Sequence, residues 1–117
     1  MIRTTVNIQW DEDILDKSLE AVAKAQVVLD EQVLKDSNFF IPKDTGQAED
    51  SGVIASQIGK GEIIWDTPYI RKIYYGVDIN FHHDMNPNAQ ALWFEVAKSR
   101  FLSDWVRAAG KEVGDNL

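Results

Sequence analysis

A chain of 117 residues, 44% hydrophobic and free of cysteine, is long enough to bury one core and excludes both disulfide and thiolate-metal chemistry. Its formal charge of −7 is uneven, with 11 acids against 5 bases in residues 1–50 and 8 against 7 in residues 51–117. An acidic surface repels nucleic-acid phosphates, and no apolar run of about 18 residues suggests a membrane span or signal core. A single soluble domain over 1–117, made in the cytoplasm, is expected, with neither sequence-specific nucleic-acid binding nor membrane attachment.

Thr4 to Trp10 alternates, with Val6, Ile8 and Trp10 on one side, which predicts a short strand. Asp11-Glu12-Asp13 suits a helix start, acids complementing the N-terminal dipole. Leu15, Leu19, Val22, Leu29 and Val33 then share a face, predicting one helix over 12–36 in which Gln26 interrupts the apolar seam. Ser37 and Asn38 end it. Pro42 forces Ile41 towards extended geometry, and Asp44-Thr45-Gly46 is turn chemistry. Ser51-Gly52 reads as a breaker before the apolar run 53–58. Gly59-Lys60-Gly61 and a second run, 62–66, complete a predicted β-hairpin over about 51–66.

Thr67-Pro68 reads as an N-cap with proline at the first helical position, opening a short helix that buries Ile70, Ile73 and Tyr74 and stops at Gly76. Residues 77–90 are polar and irregular, with a turn at Asn86-Pro87-Asn88. A last helix is predicted from about Ala91 to Gly110, apolar along Leu92, Val96, Phe101, Trp105 and Ala109, with frayed residues beyond. The fold class is therefore α+β: a long N-terminal helix and a C-terminal helix on a small antiparallel sheet.

Catalytic and metal chemistry find little support. His82-His83-Asp84, completed by Asp78, is the only histidine cluster, and adjacent residues do not readily aim at one ion. Glu49 and Asp50 near Asp44 are loop acids without an accompanying base or oxyanion hole. No catalytic residue, cofactor or metal site is assigned, and no enzyme activity is expected. Aromatic residues are the better contact candidates. Phe39 and Phe40 cannot both face one core from an extended chain, and Tyr69, Tyr74 and Tyr75 cannot all be buried on one side of a short helix. Phe39, Phe40, Tyr74 and Tyr75 are therefore candidate interface residues.

Ile41-Pro42-Lys43-Asp44-Thr45-Gly46 followed by Asp50-Ser51-Gly52 resembles the P-x-D-T-G … S signature of phage minor capsid proteins, related to HK97-type tail-completion proteins of the neck. The similarity continues through Trp65-Asp66-Thr67-Pro68-Tyr69-Ile70, where the family usually has alanine at the last position, and through Tyr74-Tyr75-Gly76. Asn86-Pro87-Asn88-Ala89 and Trp93-Phe94-Glu95 with Ala97-Lys98 extend it, so that match points run from Phe39 to Trp105. The resemblance implies a non-enzymatic virion subunit that joins head to tail, assembling as a ring beside connector or head-closure, tail-terminator or tail-tube proteins. Pro42, Asp44, Thr45, Gly46, Ser51, Trp65, Pro68, Tyr69, Gly76 and Trp93 are its motif residues, read as mainly fold-forming. Rival readings are an adjacent neck protein (head-closure or tail-terminator), a small acidic DNA-mimic inhibitor, and a metal-dependent hydrolase using His82 and His83. Lys17, Lys24 and Lys35 among the acids weigh against DNA mimicry.

Overall fold

The computed structural model describes residues 1–43, 46–76, 83 and 86–117, with Asp16 by its backbone alone. Its elements are β1 (Ile2–Thr5), α1 (Glu12–Lys17), α2 (Leu19–Asn38), α3 (Gln47–Ala55), β2 (Glu62–Trp65), α4 (Ile70–Tyr74) and α5 (Trp93–Asp115). β1 and β2 pair antiparallel, Ile2 opposite Trp65 and Thr5 opposite Glu62. The α+β class is the one expected.

Two long antiparallel helices build the largest packing surface. Ala21, Ala25, Leu29 and Val33 of α2 and Ala97, Trp105, Ala109 and Val113 of α5 are all buried. Alanines at the contact let the helix axes approach closely, so that Trp105 fills the space between them. Its indole Nε1 donates to the Asp36 carboxylate at 2.7 Å, and Lys24 donates to Asn116 at 3.2 Å near the opposite end. The second core layer is aromatic: Trp65 of β2 meets Trp93 edge-on at 5.9 Å, and Tyr74 meets Trp93 edge-on at 4.6 Å.

Several boundaries differ from the sequence expectation. The 12–36 helix is two helices, because Ser18 takes an extended conformation and its Oγ caps α2 by accepting from the Ala21 amide at 3.0 Å. The break swings Leu15 and Leu19 out of the predicted buried face, leaving Leu19 72% exposed. The strand begins at Ile2 rather than Thr4 and ends at Thr5. Of the predicted hairpin, the return arm is β2 and Gln57 bridges Glu62, but the first arm is helical through Ala55. Gly52 is therefore not a breaker. It sits inside α3 where a Cβ would lie 2.5 Å from Trp65 Nε1, so only glycine lets the helix rest on the tryptophan. Tyr69, not Thr67, precedes α4 and has a left-handed backbone (φ 67°). α5 starts at Trp93 and continues to Asp115, because Val113 is buried against the core and holds the last turn.

Candidate assembly surface

Most of the described signature residues lie around the junction of α3, β2 and α4. Gly46 opens α3 with φ 75°, a left-handed turn that glycine adopts without strain. Ser51 Oγ donates to the Ala48 carbonyl at 2.7 Å and accepts from the Asp66 amide at 3.1 Å, tying α3 to the exit of β2. Pro42, Gly46, Thr67 and Pro68 line one shallow recess. Trp65 is fully buried and donates from Nε1 to Asn38 Oδ1 at 3.0 Å, which fixes the C-terminus of α2. Gly76 closes the turn after α4, its amide donating to Ile73. Asp44 and Thr45 lie outside the described residues, as do His82, Asp84 and Asp78. His83 Nε2 lies 3.0 Å from the Ala89 carbonyl. Lys43 pairs with Glu49 at 3.5 Å.

The aromatic candidates divide. Phe40 is 1% exposed, stacked in the core with the Arg100 guanidinium 5.1 Å from its ring centroid, whereas Phe39 is 51% exposed. Their T-shaped contact at 5.0 Å anchors the outer ring on the inner one. Tyr74 is buried, packed on Trp93 with its hydroxyl donating to Glu95, whereas Tyr75 is exposed beside Arg71. Burial in the protein's own core thus removes Phe40 and Tyr74 from the accessible surface. Tyr69, read as a fold-forming motif residue, instead projects into solvent and is 78% exposed. Gln90 donates to the Phe40 carbonyl and Leu92 to that of Tyr74, so one short segment links both aromatic pairs.

Two polar anchors escaped sequence reasoning. Asp30 is fully buried, and its carboxylate accepts from the amides of Gly59 and Gly61 and from Gln26 Nε2, each at 2.8 Å. Gln26 Nε2 also donates to the Val6 carbonyl at 2.9 Å. The pair ends the β ladder, since Gly61 gives its amide to Asp30 and Val6 gives its carbonyl to Gln26. Asn86, read only as a turn residue, donates to the carbonyls of Phe39 and Ile41 at 2.9 and 2.8 Å and accepts from the Asn88 amide. The one usable signal was helical register: Gln26 and Asp30 stand four residues apart on α2, but either is equally at home on a solvated face.

Among the described residues no group of three or more histidines or acids is placed to hold a metal ion, and no helix is long and apolar enough to cross a membrane. The described signature residues other than Tyr69 make turns and packing contacts, while Phe39, Ile54, Tyr69 and Tyr75 leave large apolar side chains exposed. Exposed apolar and aromatic side chains of this kind are suited to contacts with other proteins. Residues 2–113 match the family described as minor capsid protein, and the chain belongs to that family. Its role is therefore that of a structural component of a bacteriophage particle. No curated protein and no solved structure matches the chain.

Proposed function

We propose that the chain joins head to tail at the neck of a tailed phage, as a non-enzymatic subunit that closes into a ring between connector or head-closure protein and tail terminator or tail tube. The observation that carries this reading is membership of the minor capsid family together with the exposed aromatics Phe39, Tyr69 and Tyr75 set around the signature junction. Aromatic rings on a surface are well suited to protein contacts, since each buries a large area with few rotatable bonds. The signature's likeness to HK97-type tail-completion proteins supports the neck position.

The acidic excess of residues 1–50 suits a ring lumen through which DNA slides without adhering. Asp30 and Asp36 are committed to internal hydrogen bonds, which leaves Asp11, Glu12, Asp13, Glu20 and Glu31, exposed on α1 and α2 or at their entry, for that lining. Phage carrying Phe39→Ser with Tyr75→Ser test the reading. The expected lysate contains filled heads and separate tails, while the purified variant still melts cooperatively, lowered only by the loss of two edge-on ring contacts. Normally joined, infectious particles overturn it.

A further inference from the structure

The two-stranded sheet has two outer edges, and only one is satisfied. On β2 the outward groups are met by the loop after α3: Ile64 donates to Ser56 Oγ at 2.9 Å and Gln57 donates to Glu62 at 2.8 Å. On β1 the Val6 amide donates to Gly61, and antiparallel alternation then turns Ile2, Thr4 and Val6 towards β2 and the amides and carbonyls of Arg3 and Thr5 away from it. Those outward groups have no main-chain partner among the described residues. A groove of about 170 Å³ runs beside this edge, with Thr5 and Asn7 on one wall and α5 on the other.

The α5 wall is apolar and accessible. Leu102 and Val106, one turn apart, are each about half exposed, and Trp105 forms the floor between them. Lys98, one turn earlier, lines the same groove and has no ion-pair partner among the described residues. A wall of free main-chain donors and acceptors opposite apolar side chains at regular spacing is the chemistry that receives an added β-strand.

We propose that the β1 edge and this groove take up an extended segment of a different virion polypeptide, one that alternates apolar residues towards Leu102 and Val106 and carries a carboxylate for Lys98. A second copy of β1 fits poorly, because residues 1–10 contain no acid. The inference rests on the family's place in the virion and not on the neck position.

Thr5→Pro tests it. The substitution removes an outward amide that the β1–β2 ladder does not use, so the purified chain keeps its melt, while incorporation into particles, measured by quantitative mass spectrometry of purified virions, falls about tenfold or more. Thr5→Ala is incorporated like the parent. A photocrosslinker at position 102 then couples to one stretch of another virion protein that contains an acid. Normal incorporation of Thr5→Pro, or crosslinks only to a second copy, overturn the proposal. If Thr5→Pro fails to fold, Lys98→Glu and Leu102→Asp, both at exposed helix positions, decide in its place: incorporation like the parent overturns it, and exclusion with an unchanged melt supports it. Absence of the parent chain from particles overturns the virion role as well, which separates the two failures.

Discussion

Asp30→Ala probes the anchor that holds the 59–61 turn against α2. The carboxylate accepts three hydrogen bonds at 2.8 Å, from Gly59, Gly61 and Gln26. Hydrogen bonds to a charged group contribute about 1.5–3 kcal/mol each, and burying the carboxylate offsets several kcal/mol of that sum. A net loss of about 2–4 kcal/mol follows, a large fraction of the roughly 5–15 kcal/mol available to a domain of this kind. With a urea m value of about 1–3 kcal/mol/M, the midpoint moves down by about 1–2 M in a titration followed by far-ultraviolet circular dichroism. Asp30→Asn keeps one oxygen for the two glycine amides but sets its own amide against Gln26 Nε2. Turning the Gln26 amide only moves the conflict to the Val6 carbonyl, so one bond is lost and the expected cost is about 1–2 kcal/mol. In both variants the Gly59 and Gly61 amides exchange faster with solvent. A midpoint for Asp30→Ala within about 0.3 M of the parent, or no difference between Ala and Asn, refutes the reasoning.

Three further outcomes are expected. Gly52→Ala places a methyl group 2.5 Å from Trp65 Nε1 and 3.0 Å from Leu34 Cδ1, so stability falls by about 1–3 kcal/mol and Trp fluorescence changes; an unchanged melt contradicts the close approach of α3. Gly61→Ala destabilises more than Gly59→Ala in the same melts, because its Cβ would collide with the Val6 backbone carbonyl at φ 72°, whereas at Gly59 the nearest atom is the Val27 side chain at 3.2 Å. Tyr69→Asn relieves a left-handed tyrosine whose ring is exposed, so the melting temperature stays level or rises by about 4 °C or more while incorporation into particles drops; a melt lowered by that much shows that the ring packs.

The long helices were legible because their apolar residues repeat at helical spacing, although the N-terminal part of the α2 face is Ala21 and Ala25 rather than Leu15, Leu19 and Val22. The α3 segment was not. Val53-Ile54 and Ile58 are β-formers by local preference, and the helix is stabilised instead by a contact far away in sequence, Gly52 on Trp65. Glycine read as a breaker was glycine required for packing. The break at Ser18 was hidden for a related reason: the apolar spacing from Leu15 to Val22 continues across it, and only the cap from Ser18 to Ala21 marks the new start. The strand ended early because Asp30 and Gln26 take the groups that would have extended the ladder, a partnership no local pattern reports.

At the candidate surface, one phenylalanine of the Phe39-Phe40 pair was expected to turn outward from an extended chain; Phe39 is the exposed one, but its backbone is helical (φ −59°, ψ −31°), so strand alternation is not the reason. Which tyrosine is exposed did not follow. α4 begins after Tyr69, whose backbone is left-handed (φ 67°), and in that register Tyr74 packs edge-on against Trp93 while Tyr69 stays in solvent. Asn86 looked like turn chemistry and does make an Asx turn, but its amide nitrogen also spans two carbonyls more than forty residues away.

Electron cryomicroscopy of the intact particle tests the head-to-tail reading most directly. The expected map shows the chain as a ring at the neck, with Phe39, Tyr69 and Tyr75 in contact with neighbouring subunits and the exposed acids of α1 and α2 towards the lumen. A map that places the chain on the capsid shell or tail tip, or that turns those acids outward, contradicts the account.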